Sequence, residues 1–333
     1  MKQMLRNIEI SGLRHFSGYV VQVDGLSVFY GKNGAGKSSI ATAFEMLSAI
    51  AGRSLGDWTE VFGNCGALFY FGPECTKEIV LSVQRGRESY RAVLVRDPKD
   101  AERLILSREQ LVVQNSKDDT QLEKIEVRTG ERESIFGVPM EPETRDVYRI
   151  MREMDHWWIG HLVPSAMRNP ETNDTGRRLY PTGQNLEACL LRFASTAPDA
   201  FSAVEKAVSE VEPEFVRFAV INEGEQKRLM WESASRAMLI PYQYFSEGTL
   251  RLLAYAVLFS SPELPEAVII DDIETALDDG HIEAVMKIAR KAGERTNIIL
   301  TTRSGKVAEC AGTALRKIKD PDPLARQGKA LLS

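Results

Sequence analysis

The run Gly31-Lys32-Asn33-Gly34-Ala35-Gly36-Lys37-Ser38 follows directly on the apolar stretch Leu26-Ser27-Val28-Phe29-Tyr30, and this junction constrains the fold more than any other part of the chain. The glycines let the backbone curl so that successive N–H groups point inward at a phosphate, and the helix that leaves the loop offers its positive N-terminus to the same charge. Such a loop needs a buried strand before it and a helix after it. Val28, Phe29 and Tyr30 supply the strand, while Ile40, Ala41, Phe44 and Leu47 recur at helical spacing to about Ala51. Lys37 is expected to reach the β- and γ-phosphates of a nucleotide. The Ser38 hydroxyl is expected to complete the oxygen shell of a magnesium ion, with Ser39 next to it in the loop.

A chain of 333 residues can bury a large core as one big domain or two modest ones. The longest apolar runs, such as Leu252 to Phe259, fall far short of the roughly 20 residues that cross a bilayer. With no signal-peptide pattern at the N-terminus, a cytoplasmic location is expected. Cys65, Cys75, Cys189 and Cys310 lie far apart without CxxC pairs and read as packing residues rather than a zinc site or a disulfide framework. A net charge of −5 argues against a wholly basic nucleic-acid coat and leaves room for a local basic stripe.

Along the chain, strands are expected at Leu5 to Ile10, Val20 to Val23 and the segment before the loop. An antiparallel meander follows at Ala67 to Phe71, Glu78 to Gln84 and Tyr90 to Val95. The charged stretch Asp97 to Pro139 reads as loops and edge strands. Helical spacing then dominates, first through Val147, Ile150, Met151 and Met154, later through Leu186, Leu190 and Phe193. From Phe215 onward a strand-rich portion leads to a helix over Thr249 to Ser260. The strand Ala267 to Ile270, the helix Asp279 to Ala292 and the strand Asn297 to Thr301 then alternate as in a parallel α/β sheet. The expected organisation is an N-terminal lobe over 1–140, a helical subdomain over 141–212 and a C-terminal lobe over 213–333.

Two further constellations stand in the C-terminal lobe. Val268-Ile269-Ile270-Asp271-Asp272 is a hydrophobic strand ending in carboxylates, where a doubly wound sheet places its ligands. Asp271 suits the Walker B role of holding Mg²⁺ near Ser38. Phe245-Ser246-Glu247-Gly248-Thr249-Leu250-Arg251 opens a helix, with Ser246 or Thr249 as its capping residue.

The order GKNGAGKS, YPTGQNL, FSEGTLRLLAYA, VIIDDIETALDD and IILTTRS resembles the ABC-type ATPases of the RecF, SMC and overcoming-lysogeny-defect group, in particular their short relatives without a coiled coil. The resemblance implies an α/β P-loop ATPase head with an antiparallel meander and an inserted helical subdomain, using ATP and Mg²⁺. It implies that FSEGTLR is the signature loop, whose Ser246 and Gly248 contact the γ-phosphate held by the P-loop of a second copy. The implied assembly is a head-to-tail homodimer with two ATP molecules at its interface. Asp278 looks like the D-loop aspartate that communicates across that interface, and Arg14 resembles an N-terminal arginine that approaches the nucleotide.

Two positions depart from the family pattern. Asp272 stands where the family usually has the glutamate that activates water, and its carboxylate is shorter by one carbon-carbon bond, about 1.5 Å. Misplacement by about 1 Å can cost on the order of a hundredfold in rate, so slow turnover by Asp272, or help from Glu274, is expected. Arg303 replaces the histidine that senses the γ-phosphate; it can still donate to phosphate but cannot take up a proton. Gln84 and Gln110 both qualify as the Q-loop glutamine.

Three functions fit. The first is an ATPase that closes on ATP and controls DNA or a partner effector such as a nuclease, in repair or anti-phage defence. The second is a hydrolysis-weak ATP sensor that recruits a nuclease or toxin, and the third is the ATPase subunit of a transporter. Arg85, Arg87, Arg91 and Arg96 are equally readable as a DNA contact or as the solvated face of a hairpin.

Overall fold

The structure, a computed structural model, describes residues 5–114, 122–137, 148–170, 174–224, 226–236 and 238–318. At its centre lies an all-parallel sheet in which β3 (Leu26–Tyr30), β8 (Trp158–Gly160), β12 (Ala267–Ile270), β13 (Asn297–Thr302) and β14 (Leu315–Lys317) take the order β14-β3-β13-β12-β8. Strands buried on both faces read as unbroken apolar runs, as the central strand β12 (AVII) does, whereas the edge strand β14 is Leu315-Arg316-Lys317 and only partly buried. Ala267 and Ile269 of β12 join one hydrophobic cluster, while Val268 and Ile270 join the other.

The first cluster face is covered by α1 (Lys37–Ala51), α3 (Arg149–Asp155) and a six-stranded antiparallel sheet. That sheet runs β2 (Phe16–Gln22), β1 (Leu5–Leu13), β4 (Ile79–Arg85), β5 (Glu88–Asp97), β6 (Asp100–Gln114), β7 (Leu122–Glu131). The second face is covered by α5 (Leu186–Thr196), α6 (Pro198–Ser209), α7 (Glu247–Ser260), α8 (Asp279–Gly293) and a small sheet of β9 (Phe215–Glu223), β10 (Gln226–Ser233) and β11 (Leu239–Pro241). The α/β architecture with its antiparallel meander is therefore as the sequence led us to expect.

Three local expectations need correction. Ala67 to Phe71 is not a strand: Asn64 caps a 3-10 turn over Cys65–Leu68, and a single bridge from Phe69 to Leu13 follows. Phe71 and Gly72 then both adopt positive φ, which turns the chain away from any ladder. The stretch read as loops and edge strands holds the longest strand of the meander, β6, beside the mostly solvated outer strand β7. Its buried residues are Leu104 and Leu106, then Glu109, Leu111 and Val113, so the alternation changes phase midway. Irregularities in register at Val93/Leu94 and at Leu106/Arg108 cause the change, because one inserted residue moves every later side chain to the other face. Within 141–212, where helix was expected, β8 enters the parallel sheet between α3 and α4 (Pro164–Arg168). Val147 and the boundary near 140 lie outside the described residues.

Arg85, read as a member of a basic stripe, is buried. Its guanidinium meets Glu88 at 3.1 Å and Glu153 of α3 at 2.5 Å, tying the antiparallel sheet to the helix. Arg91 is exposed near Glu9, and Arg96 donates to the carbonyl of Ala101, so the four arginines do not form one surface. Burial pushes the Glu153 carboxyl up to about 7 from an ordinary 4.5, with Arg85 opposing the shift. The folded chain thus holds this proton at pH values where the unfolded chain has released it. The stabilising contribution is complete below about 4.5 and is lost as the pH rises through about 7. The melting temperature of Glu153→Gln is therefore expected to fall less than that of the parent between pH 5 and pH 8, and an equal fall in both proteins would refute this.

Candidate nucleotide site

The P-loop, the ends of β12 and β13 and the end of β8 meet at the carboxyl edge of the parallel sheet, the place where open α/β sheets bind ligands. Gly31 N–H donates to the carbonyl of Thr302, which ties the start of the loop to β13. Gly34 and Gly36 adopt φ of +79° and +98°. A side chain at Gly36 would also strike the ring of Phe16, its Cβ falling 2.8 Å from Cζ, so two constraints demand glycine there. Lys37 is only 7% exposed, and its ammonium donates to the carbonyls of Gly31 at 2.9 Å and Lys32 at 3.1 Å. The lysine thereby braces the loop it belongs to.

The β1–β2 turn lies over this loop. His15 Nδ1 stands 3.0 Å from the Ser39 hydroxyl, and Arg14 donates to Thr42 at 2.9 Å while its guanidinium lies over the ring of Phe62. Arg14, which sequence alone could not separate from a surface arginine, lines a cleft of about 540 Å³ together with Ser38, Glu45, His161 and Asp271.

Pairing of Ile270 with Leu300 sets Asp271 level with Thr301. The Thr301 hydroxyl donates to Asp271, and it accepts the N–H of Asp272 at 2.9 Å. Asp272 sits at φ +47°, a conformation that aspartate tolerates better than a branched residue. Its Oδ1 is buried without a hydrogen-bond partner. Burial, then Asp271 and Glu274, raise its pKa. Glu274 is fully engaged: Oε2 accepts from Thr302 at 2.7 Å and Oε1 from the N–H of Arg303 at 2.9 Å. The Arg303 side chain is 62% exposed, with its Nε 4.0 Å from Glu274.

Ser38 and Asp271 present a hydroxyl and a carboxylate to one cleft. Both are hard oxygen donors, the set that magnesium takes when it keeps waters and phosphate oxygens as its other ligands. The residues present therefore fit the ion.

Sequence reasoning missed Glu45 and His161. Glu45 follows Ser38, Ala41 and Thr42 at helical spacing, a legible signal. Burial first and Asp271 second raise its pKa. His161 was not legible, because its place depends on Gly160 pairing with Ile270, which sets the next residue beside Asp271. Gln84 and Gln110 stand on β4 and β6 of the antiparallel sheet, and the cleft lining does not include them.

Ser246, Gly248 and Asp278 are also absent from that lining. Ser246 is exposed and caps α7, its Oγ accepting the N–H of Thr249 at 3.1 Å. Asp278 caps α8 by accepting the N–H of His281 at 2.9 Å. A Cβ at Gly248 would lie 2.9 Å from the carbonyl oxygen of Ala276, so the two capped turns touch.

The family model described as "AAA domain, putative AbiEii toxin, Type IV TA system" matches residues 26–304. The chain belongs to this family. Among solved structures it is similar to an SMC head bound to the C-terminal winged-helix domain of ScpA, at 13% identity and TM-score 0.50, covering 92% of this chain and 91% of that one. It is similar as well to an SMC head with an extended coiled coil bound to the C-terminal domain of ScpA derived from Pyrococcus furiosus, at 12% identity and TM-score 0.52, covering 99% and 98%. At these identities the likeness establishes the fold, that of SMC-type P-loop heads. No curated protein matches the chain in sequence. Among the described residues of this family member, no helix is long and apolar enough to cross a membrane.

Proposed function

We propose that this chain is an ABC-type ATPase whose ATP site is shared between two copies. One copy contributes the P-loop cleft with Lys37, Ser38, Asp271 and Asp272. The other contributes the turn of Ser246 and Gly248, with Asp278 beside it. The observation that supports this most directly is the separation of two half-sites: a phosphate cradle without a signature serine, and an exposed, capped signature serine outside the cradle. Bound magnesium would supply charge neutralisation for the phosphates. Lys37 would hold the phosphates in place, and Asp272, with its unpartnered Oδ1, would accept a proton from the attacking water. Arg14 would approach the nucleotide, and the exposed Arg303 would donate to the γ-phosphate.

ATP then acts as the bonding element of the dimer, and its hydrolysis releases the two copies, a population shift driven by differential affinity. The output would pass to an effector such as a nuclease, or to DNA. The family description, which names a toxin–antitoxin system, supports a defence setting. The SMC heads solved with ScpA support recognition of a partner protein.

Ser246→Arg is expected to abolish ATP-dependent dimers in light scattering while each monomer still binds ATP. Dimers that persist in this variant would refute the shared site. A sensor with weak hydrolysis is the second reading, favoured by Asp272 and Arg303 at the two departing positions. Steady-state phosphate release equal to that of a Lys37→Ala control, with intact ATP binding, would decide for it.

A further inference from the structure

His281, the third residue of α8, is 8% exposed and lies between the two capped turns. On one side its Nδ1 meets Asp278 Oδ1 at 2.7 Å, the same oxygen that accepts its own N–H. On the other side its Nε2 stands 3.3 Å from Thr249 Oγ1. The Thr249 hydroxyl is fully buried, donates to Glu212 and lies 2.8 Å from the hydroxyl of Ser246. A hydroxyl has one proton to give and two lone pairs to offer. With its proton on Glu212, Thr249 accepts from Ser246 and faces Nε2 of the ring, which donates to Thr249 while Nδ1 donates to Asp278 only when both ring nitrogens carry a proton.

With both ring protons in place, an unbroken chain of hydrogen bonds runs from exposed Ser246 through Thr249 and His281 to Asp278. Backbone packing reinforces it, since Gly248 has no room for a side chain against Ala276, which itself adopts φ +58°. A histidine satisfied inside a core needs no such alignment with two helix caps. We propose that His281 is a positioning residue that locks Ser246, Gly248 and Asp278 into one rigid surface, offered to the ATP held by a second copy of this chain. The proposal rests on the shared-site reading. It assigns His281 to assembly in trans and not to capture of ATP by its own P-loop.

His281→Phe keeps a ring and removes both hydrogen bonds; His281→Gln restores a donor. With a fluorescent ATP analogue, monomer affinity of His281→Phe is expected to stay within about twofold of the parent. Losing the ring's contacts to the buried Thr249 hydroxyl and to Asp278, which keeps only the backbone N–H of residue 281, should weaken ATP-dependent dimers by roughly tenfold or more, with partial recovery in His281→Gln. A mixing experiment separates this role from a loss of fold. His281→Phe is combined with Lys37→Ala at a concentration where neither dimerises alone, and Ser246→Ala is combined with Lys37→Ala in parallel. Each mixed dimer contains one site built from an intact P-loop and an intact signature surface. Restored ATP-dependent scattering with His281→Phe supports the assignment. Restoration with Ser246→Ala alone overturns the role of His281 and leaves the shared site standing, whereas restoration in neither mixture overturns the shared site itself. If His281→Phe does not fold by circular dichroism, the same mixtures with His281→Gln decide between these outcomes.

Discussion

Lys37→Ala is expected to lose ATP turnover by a hundredfold or more, on the order of what one preorganised donor to a developing charge supplies. The effect has two sources. The ammonium lies within the loop that the proposed site uses to hold phosphate, and it also pins the carbonyls of Gly31 and Lys32. Its removal thus takes away both the charge and part of the loop's shape. Titration with a fluorescent ATP analogue should show weakened binding, and calorimetry should show a folded protein, since the brace concerns one loop and not the two cores. Turnover within a few fold of the parent would show that the P-loop is not the phosphate site.

Asp272→Asn is expected to separate binding from hydrolysis. The amide keeps the size and left-handed backbone of the parent but cannot accept a proton, so phosphate release should fall by about two orders of magnitude. ATP-dependent dimers should persist and live longer in light scattering. Asp272→Glu extends the carboxylate by about 1.5 Å and, on the proposed assignment of Asp272 to the attacking water, is expected to raise turnover. The competing assignment to Glu274 makes the opposite prediction. Both of its oxygens are already occupied by Thr302 and Arg303, so Glu274→Gln should disturb the turn that carries Arg303 more than the chemistry. If Glu274→Gln abolishes turnover while Asp272→Asn spares it, the roles are reversed.

Much of the site was legible because its parts are local. A strand, a glycine loop and a helix in succession, or an apolar run ending in Asp271, are patterns whose physics lies within a dozen residues. The meander was partly legible. Its alternation failed where register irregularities shift the phase, and a change of phase in sequence looks the same as an irregular loop. Arg85 was misread for a different cause: its burial depends on Glu88 and on Glu153, which is far away in sequence and on another element.

Sequence alone determined that this chain carries a P-loop at Lys37, ends a central strand in Asp271 and presents a second capped turn at Ser246. Only the tertiary structure decided which carboxylate is free, that Arg14 and His161 face the cleft, and that His281 links the two capped turns. Those facts depend on contacts between residues tens to hundreds of positions apart. Strand pairing and helix packing set such contacts through geometry, and no local period in the chain encodes them.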